Sequence, residues 1–356
     1  MSDLLARHDA LLVDLDGTLY RSRVAIPGAV EAVRHAAGRG VPAVYVTNNA
    51  SRRPADVAEH LVELGFPAGE QDVVTSSQAA AVMLAEQLPA GAPVLVVGTD
   101  ALVAEITGVG LTVTERADEA AAVVQGHSPE TAWPVLAEAT VALRGGAVWV
   151  ACNLDPTLPT ERGPLPGNGA MVAALRTASG REPQVAGKPA PALLHDAVRR
   201  SGARAALMIG DRLDTDIEGG RAAGVATLLV LTGISDAAEV LAAPPALRPD
   251  HIGADLNALR CSPDTLTPGP RPGWTVSSSG PEVLVLAETT AEADPMDALL
   301  ALCGMHWDGG GAGPVRVIAD GLGAERALRS LGLDGSAREG FGSATVAGVD
   351  PAPGAC

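Results

Sequence analysis

The chain has 356 residues, 47% of them hydrophobic, and a formal net charge of −17. That length and apolar content can bury a large core in two or three domains. The acidic balance, without any basic block, excludes nucleic acid as a partner and means that an anionic ligand must find locally concentrated positive charge.

The first predicted element is a short buried strand over Ala10–Val13, followed by Asp14-Leu15-Asp16-Gly17-Thr18. Alternation along a strand would send Asp14 and Asp16 to one face, emerging at the carboxyl edge of a sheet where α/β proteins bind ligands. Two carboxylates there repel unless a cation joins them or one holds a proton. The pattern also fits a plain strand end with an Asp-Gly turn. A helix is expected over Ile26–Gly38, then a β-branched strand, Val44 to Val46, ending in Thr47-Asn48-Asn49. A hydroxyl and amides can hold phosphoryl oxygens without adding charge.

Strands are predicted at 93–97, 121–125 and 147–151, and helices at 99–107, 131–144 and 168–179, an alternation that suggests a small α/β unit. A polar, Pro-rich loop from Cys152 to Thr160 follows the third strand. Lys188 is the only lysine; the other basic side chains are arginines. An ammonium retained in an arginine-rich chain marks a site where a guanidinium fork does not serve. The next apolar strand, 205–209, ends in Gly210-Asp211, with Asp214 and Asp216 close behind. Asp14, Asp211 and a backbone carbonyl would suit a hard cation such as Mg²⁺. Asp216 opens a helix over 217–223, where it would cap the helix or orient the ligand shell. Asp214 reads as a solvated turn residue.

In their order, Asp-x-Asp-Gly-Thr, Thr-Asn-Asn, Lys-Pro and Gly-Asp-x-x-x-Thr-Asp resemble the haloacid dehalogenase superfamily, and within it the NagD-type phosphatases. The resemblance covers residues 8 to about 260. It implies a Rossmann-like, doubly wound parallel α/β core with an α/β cap. It also implies that Asp14 is a nucleophile forming an aspartyl-phosphate and that Asp16 is the general acid and base. Thr47 and Lys188 would hold the phosphoryl group with Asn48 beside them. Mg²⁺ would be bound by Asp14, the Asp16 carbonyl and Asp211, with Asp216 behind them. The 141 residues between Thr47 and Lys188 are domain-sized, so the cap lies there and not after the first motif. This gives a core of residues 1–87 and 183–260 and a cap of 88–182. In this branch the 152–160 loop reaches over the site. Leu158 stands where some members carry histidine and others leucine. It either favours a small polyol or glycolate phosphate over an aromatic aldehyde, or only packs the loop. The expected activity is hydrolysis of a small phosphomonoester, glycerol 3-phosphate first, with phosphoglycolate or a nucleoside monophosphate as alternatives. A different class would be an acyl-CoA-binding or regulatory protein with a residual phosphatase core.

Residues 261–272 read as a linker. Beyond them, strands near 282–286 and 314–318 and helices over 295–303 and 323–331 make a small α/β extension, 273–356, that loosely resembles part of an acetyltransferase-like domain. It is expected to be structural or dimerising, with a homo-oligomer as a possible result. The glycines of 309–313 precede a strand, so they are no dinucleotide fingerprint. No apolar run approaches a membrane span, and the N-terminus lacks a signal pattern. The four cysteines (152, 261, 303 and 356) have no Cys-x-x-Cys spacing and read as reduced thiols of a cytoplasmic protein.

Overall fold

The computed structural model describes residues 3–335 apart from 161, 281 and 292. The first apolar run forms the strand Ala10–Val13, buried at every position. It lies inside a six-stranded, wholly parallel sheet. On one side are Ala43–Thr47 and Val73–Thr75; on the other are Ala206–Gly210, Ala226–Val230 and His251–Gly253. The chain builds outward one way, leaves, and returns to build outward the other way. The carboxyl ends of Ala10–Val13 and its two neighbours therefore meet at a topological switch point, where such sheets open a crevice.

Both sheet faces are covered, which is why these strands read as unbroken apolar runs. Leu11 and Val13 pack with the helices Ala29–Gly38 and Pro54–Glu63. Leu12 and Val46 face the opposite way, toward Ser76–Gln87 and Ala192–Ser201.

A second parallel sheet is ordered Gln184–Val185, Val148–Ala151, Ala122–Gln125, Pro93–Val97, Thr112–Thr114. Its three long strands lie within a residue of expectation, as do the bounds of Asp100–Gly108 and Asn168–Ser179; Trp133–Arg144 begins two residues later than expected. Gln184–Val185, expected beyond this unit, instead closes its edge. The loop after Val148–Ala151 differs from expectation. It folds into a hairpin of Thr157–Thr160 and Gly163–Pro166, with Leu158 opposite Leu165. A two-stranded ribbon is all edge, so its prolines break no interior ladder.

The C-terminal region holds three strands where two were expected. Trp274–Ser278 runs antiparallel to Val283–Glu288, which pairs in parallel with Arg316–Asp320. The helices Pro295–Asp308 and Leu322–Leu331 cover this sheet. Residues 261–272, expected to be a linker, include the helical turn Pro263–Leu266, whose Leu266 is buried with the first core cluster. Residues 336–356 of the expected extension lie outside the described residues, Cys356 among them. Cys152 and Cys303 are buried free thiols, as expected; Cys261 is not among the free ones. Among the described residues no helix is long and apolar enough to cross a membrane.

Candidate active site

At the switch point the first strand hands directly into the site. Asp14 continues the ladder, its N–H donating to the Ile209 carbonyl at 2.9 Å. Gly17, at φ +86°, turns the chain; a methyl there would lie 2.4 Å from Asp211 Oδ2. Asp16 is exposed, whereas the Asp14 side chain is mostly covered.

Across the sheet Gly210 ends the strand, and the completely buried Asp211 follows it. One Asp211 oxygen accepts from the Ile234 N–H at 2.7 Å and the other from Thr18 Oγ1 at 3.4 Å. Asp216 sits in a π-helical turn, Leu213–Ile217, that leads into Glu218–Ala222. It does not cap that helix, as one sequence reading had it. Its Oδ2 instead folds back onto the Arg212 N–H at 3.1 Å, and its Oδ1 accepts from Lys188. Asp214 is exposed and paired with Arg212, in keeping with a solvated turn.

Lys188 is buried between two carboxylates, with Nζ 2.5 Å from Asp14 Oδ1 and 2.7 Å from Asp216 Oδ1. Asn48 clamps its backbone: Nδ2 donates to the Lys188 carbonyl at 2.9 Å and Oδ1 accepts the Lys188 N–H at 2.8 Å. The amide is thus committed to positioning Lys188. Thr47 is buried at the end of its strand; its Oγ1 accepts from the Asn49 N–H, which leaves the hydroxyl proton free.

Oxygens of Asp14, Asp211 and Asp216 all lie within 4.8 Å of one another. Burial raises the Asp14 carboxyl well above its usual range; Lys188 opposes this, while Asp216 and Asp211 add to it. Burial and then Asp216 lift Asp211 to about 6. Asp16, although its side chain reaches solvent, is also raised by the protein atoms crowding it, against Arg52, His60 and Lys188. Burial works to lower the Lys188 pKa, but Asp14 and Asp216 outweigh it and keep the ammonium charged. Three grouped carboxylates against one ammonium leave an excess of negative charge and a set of hard oxygen donors. Such a set fits a divalent cation of the Mg²⁺ type, whose charge would offset both the crowding and an incoming phosphate.

Leu158 lies on the hairpin, three residues beyond Asp155, and its side chain is partly covered. Sequence reasoning missed Asp155 itself. It comes from the second sheet's loop, accepts from Asn48 Nδ2 at 3.4 Å and lies 4.0 Å from Arg212. Asn153 in the same loop donates to the Asn48 carbonyl at 2.7 Å. The polar character of Asn153-Leu154-Asp155 was the available signal. Gly233 was also missed. A methyl there would lie 1.8 Å from Asp211 Oδ2, and no local pattern marks it.

This geometry is accompanied by matches to known proteins. A haloacid dehalogenase-like hydrolase model matches residues 11–112, and a second HAD-hydrolase-like model matches 185–259. A GCN5-related N-acetyltransferase-like domain model matches 271–333. The chain is 49% identical over 341 residues to a D-glycerol 3-phosphate phosphatase of Mycobacterium tuberculosis, covering 93% of this chain and 95% of that protein. Crystal structures of a glycerol phosphate phosphatase from the same organism, with calcium and with magnesium, superpose at TM-scores of 0.89 and 0.87. Each is 48% identical and covers 94% of this chain, and 100% and 99% of those chains. A p-nitrophenyl phosphatase from Archaeoglobus fulgidus, 30% identical, superposes at 0.65 over 71% of this chain and 98% of its own. Motif order, switch-point geometry and these likenesses agree: the chain belongs to the haloacid dehalogenase-like hydrolases.

Proposed function

We infer that this chain is a Mg²⁺-dependent phosphatase that hydrolyses glycerol 3-phosphate through a covalent intermediate on Asp14. The grouping of Asp14, Asp211 and Asp216 around a buried Lys188 carries this reading, supported by the full-length likeness to a D-glycerol 3-phosphate phosphatase. Asp14, the Asp16 carbonyl and Asp211 would hold the metal. When bound, Mg²⁺ neutralises charge on the transferring phosphoryl group. Asp216, with both oxygens committed to Lys188 and Arg212, orients the lysine and the loop instead.

An Asp14 oxygen attacks phosphorus, and the bond from phosphorus to the glycerol oxygen breaks. Asp16, whose carboxyl is raised from its usual range chiefly by burial, is the general acid that donates a proton to the departing alkoxide. The same carboxylate then takes a proton from water, which attacks the aspartyl-phosphate. Phosphate leaves and Asp14 is restored. Splitting one displacement into two lowers each barrier. Lys188 and the Thr47 hydroxyl hold the phosphoryl oxygens throughout. Leu158, on the hairpin beyond Asp155, limits the leaving group to a small polyol. In the same reading the five-stranded unit is the cap over a hydrolase core, and the enzyme works in the cytoplasm, where such metabolites are found.

A screen of phosphate esters with Mg²⁺ tests the proposal. Glycerol 3-phosphate should give the highest kcat/KM. Asp14→Asn should abolish turnover without disturbing the circular dichroism spectrum. A clear preference for 4-nitrophenyl phosphate or phosphoglycolate would refute the substrate assignment. Metal-dependent turnover by Asp14→Asn, with deamidation excluded by mass spectrometry, would refute the covalent route.

A further inference from the structure

The loop from Asn153 to Pro156 is fastened to the start of the helix Asn168–Ser179. Three consecutive residues there hold its carbonyls. The Gly167 N–H donates to Pro156 at 2.9 Å, the Gly169 N–H to Asp155 at 2.8 Å, and Asn168 Nδ2 to Asn153 at 2.7 Å. The fit leaves no room for side chains: a methyl at Gly169 would lie 2.1 Å from the Leu154 oxygen, and one at Gly167 2.4 Å from that of Asp155. Asn168 is buried, and among the described residues its Oδ1 has no hydrogen-bond partner. A buried oxygen without a partner costs stability, so what the amide adds to the fold does not explain it. Its Nδ2 is the engaged half. Besides Asn153 it reaches the Gln125 carbonyl at 3.3 Å, at the end of the strand Ala122–Gln125.

We infer that Asn153 and Asn168 are positioning residues for phosphoryl transfer, setting Lys188 through Asn48. Asn153 is buried and uses both ends of its amide. Its Oδ1 accepts from the Asp155 N–H at 3.2 Å, closing the loop's turn, and its Nδ2 donates to the Asn48 carbonyl at 2.7 Å. Ser76 Oγ, at the start of Ser76–Gln87, donates to the same carbonyl at 2.7 Å. Asn48 is thus held from both sheets at once, and its own amide grips the N–H and the carbonyl of Lys188. The Lys188 backbone is pressed against this relay: a β-carbon on Gly187 would meet the Cys152 carbonyl at 2.5 Å and Asn48 Oδ1 at 2.6 Å. The ammonium therefore takes its place beside Asp14 from a chain of contacts that begins at the first turn of Asn168–Ser179. A shift of about 1 Å in a group that holds the reacting atoms is enough to slow a transfer severely. Neither asparagine touches the phosphoryl group in this scheme; both act through Lys188, so the inference rests on the reading of Lys188 as a phosphoryl ligand.

Steady-state kinetics of the full chain with Mg²⁺ and glycerol 3-phosphate test this. Asn153→Ala should lower kcat about 10–100-fold, the cost of losing an outer support of a catalytic group. Its KM should stay within about twofold of wild type, because a misplaced ammonium is felt most where charge develops in the transition state. Asn168→Ala, one link farther back, should lower kcat about 3–30-fold, the scale of coupling carried through intermediate contacts. The combination with Lys188→Met separates positioning from a general effect on the loop. Once the ammonium is gone there is nothing left to position, so adding Asn153→Ala to Lys188→Met should cost at most about twofold more. Melting temperatures report folding. If Asn153→Ala folds poorly, Asn168→Ala, which leaves the turn at Asn153 in place, carries the same comparison. Wild-type kcat in both alanine variants, or losses that multiply in the Lys188→Met background, would overturn the inference alone. A Lys188→Met protein with wild-type kcat would overturn the reading of Lys188 and this inference with it.

Discussion

At the scale of single residues, Lys188 concentrates most of the site's chemistry. Its ammonium bridges Asp14 and Asp216 at 2.5 and 2.7 Å in a pocket closed to solvent. A guanidinium is wider, is planar, and places its donors farther from the backbone. Lys188→Arg should therefore lose about 10²–10³-fold in kcat, the scale of a missing electrostatic contact to the transition state. It should be nearly as impaired as Lys188→Met. An arginine variant with most of its activity intact would contradict this. Asp211 supplies the pH dependence. In the metal-free site its carboxyl titrates at about 6 instead of 3.8. Between those values the folded protein keeps a proton that the unfolded chain has released, so metal-free stability falls as pH rises through the window. Mg²⁺ requires that proton to leave, so its affinity rises over the same window. Melting curves with and without Mg²⁺ should show the metal-induced stabilisation shrinking from about pH 7 to about pH 5, the direction required when ligands must deprotonate. A shift that is the same at both pH values would exclude this linkage.

At the scale of elements, the side chains proposed as catalytic are held by loops whose backbones are placed by the parallel sheet. The loop after Ala226–Val230 shows how little room they have. Thr232 Oγ1 donates to the Gly17 carbonyl at 2.6 Å, and the Ile234 N–H donates to Asp211 at 2.7 Å. Gly233 lies between them, and a β-carbon there would meet Asp211 Oδ2 at 1.8 Å. Gly233→Ala should displace that carboxylate and raise the Mg²⁺ concentration needed for half-maximal activity by about 10–100-fold, comparable to losing an outer support of a metal ligand. Its melting temperature without metal should stay near wild type. An unchanged Mg²⁺ requirement would show that the loop simply moves aside. This position also marks the limit of what sequence alone reveals. Asp14, Asp16 and Asp211 were legible because they follow apolar strands, Thr47 because it ends one, and Lys188 because it is the only lysine; the structure brings the carboxyl ends of those apolar strands side by side. Gly233 was not, because its importance arises from a neighbour 22 residues away in sequence. Asp155 was hidden for the same reason, since it meets Asn48 only once the two sheets have packed. Trp274–Ser278 was missed because Thr275, Ser277 and Ser278 are exposed and polar, and only one side of the strand is apolar. Of the two readings of Asp216, the helix cap failed because a local rule does not see Arg212 and Lys188, which take the carboxylate in the fold.

At the scale of the whole molecule, the C-terminal sheet is not an appendage on a string. Its Trp274, Leu284, Leu286 and Leu299 share one apolar cluster with Leu229 of the six-stranded sheet and with Leu213, Ile217 and Val240 of the helical segments beside it. Hydrogen bonds cross the same boundary, from Trp307 Nε1 to the Leu241 carbonyl at 3.2 Å and from the Gly313 N–H to the Ala242 carbonyl at 2.8 Å. Leu213 and Ile217 bound the π-helical turn that carries Asp216, so the C-terminal unit packs directly behind the loop that orients Lys188. A chain ending at Arg260 would expose that cluster to water, and exposed apolar patches of this kind promote self-association. It should lose solubility and melt at a lower temperature. Its soluble fraction should need more Mg²⁺ and show a lower kcat, because the Asp211–Asp216 loop loses its backing. The order of preference among phosphate esters should not change, since Leu158 and Asp155 lie in the other unit. Measuring kcat/KM for a small ester panel, together with the Mg²⁺ requirement, separates these outcomes. A truncated chain that remains soluble with wild-type metal affinity would show that the shared cluster contributes nothing to the site. A changed preference among esters would instead mean that the C-terminal unit acts on the cap.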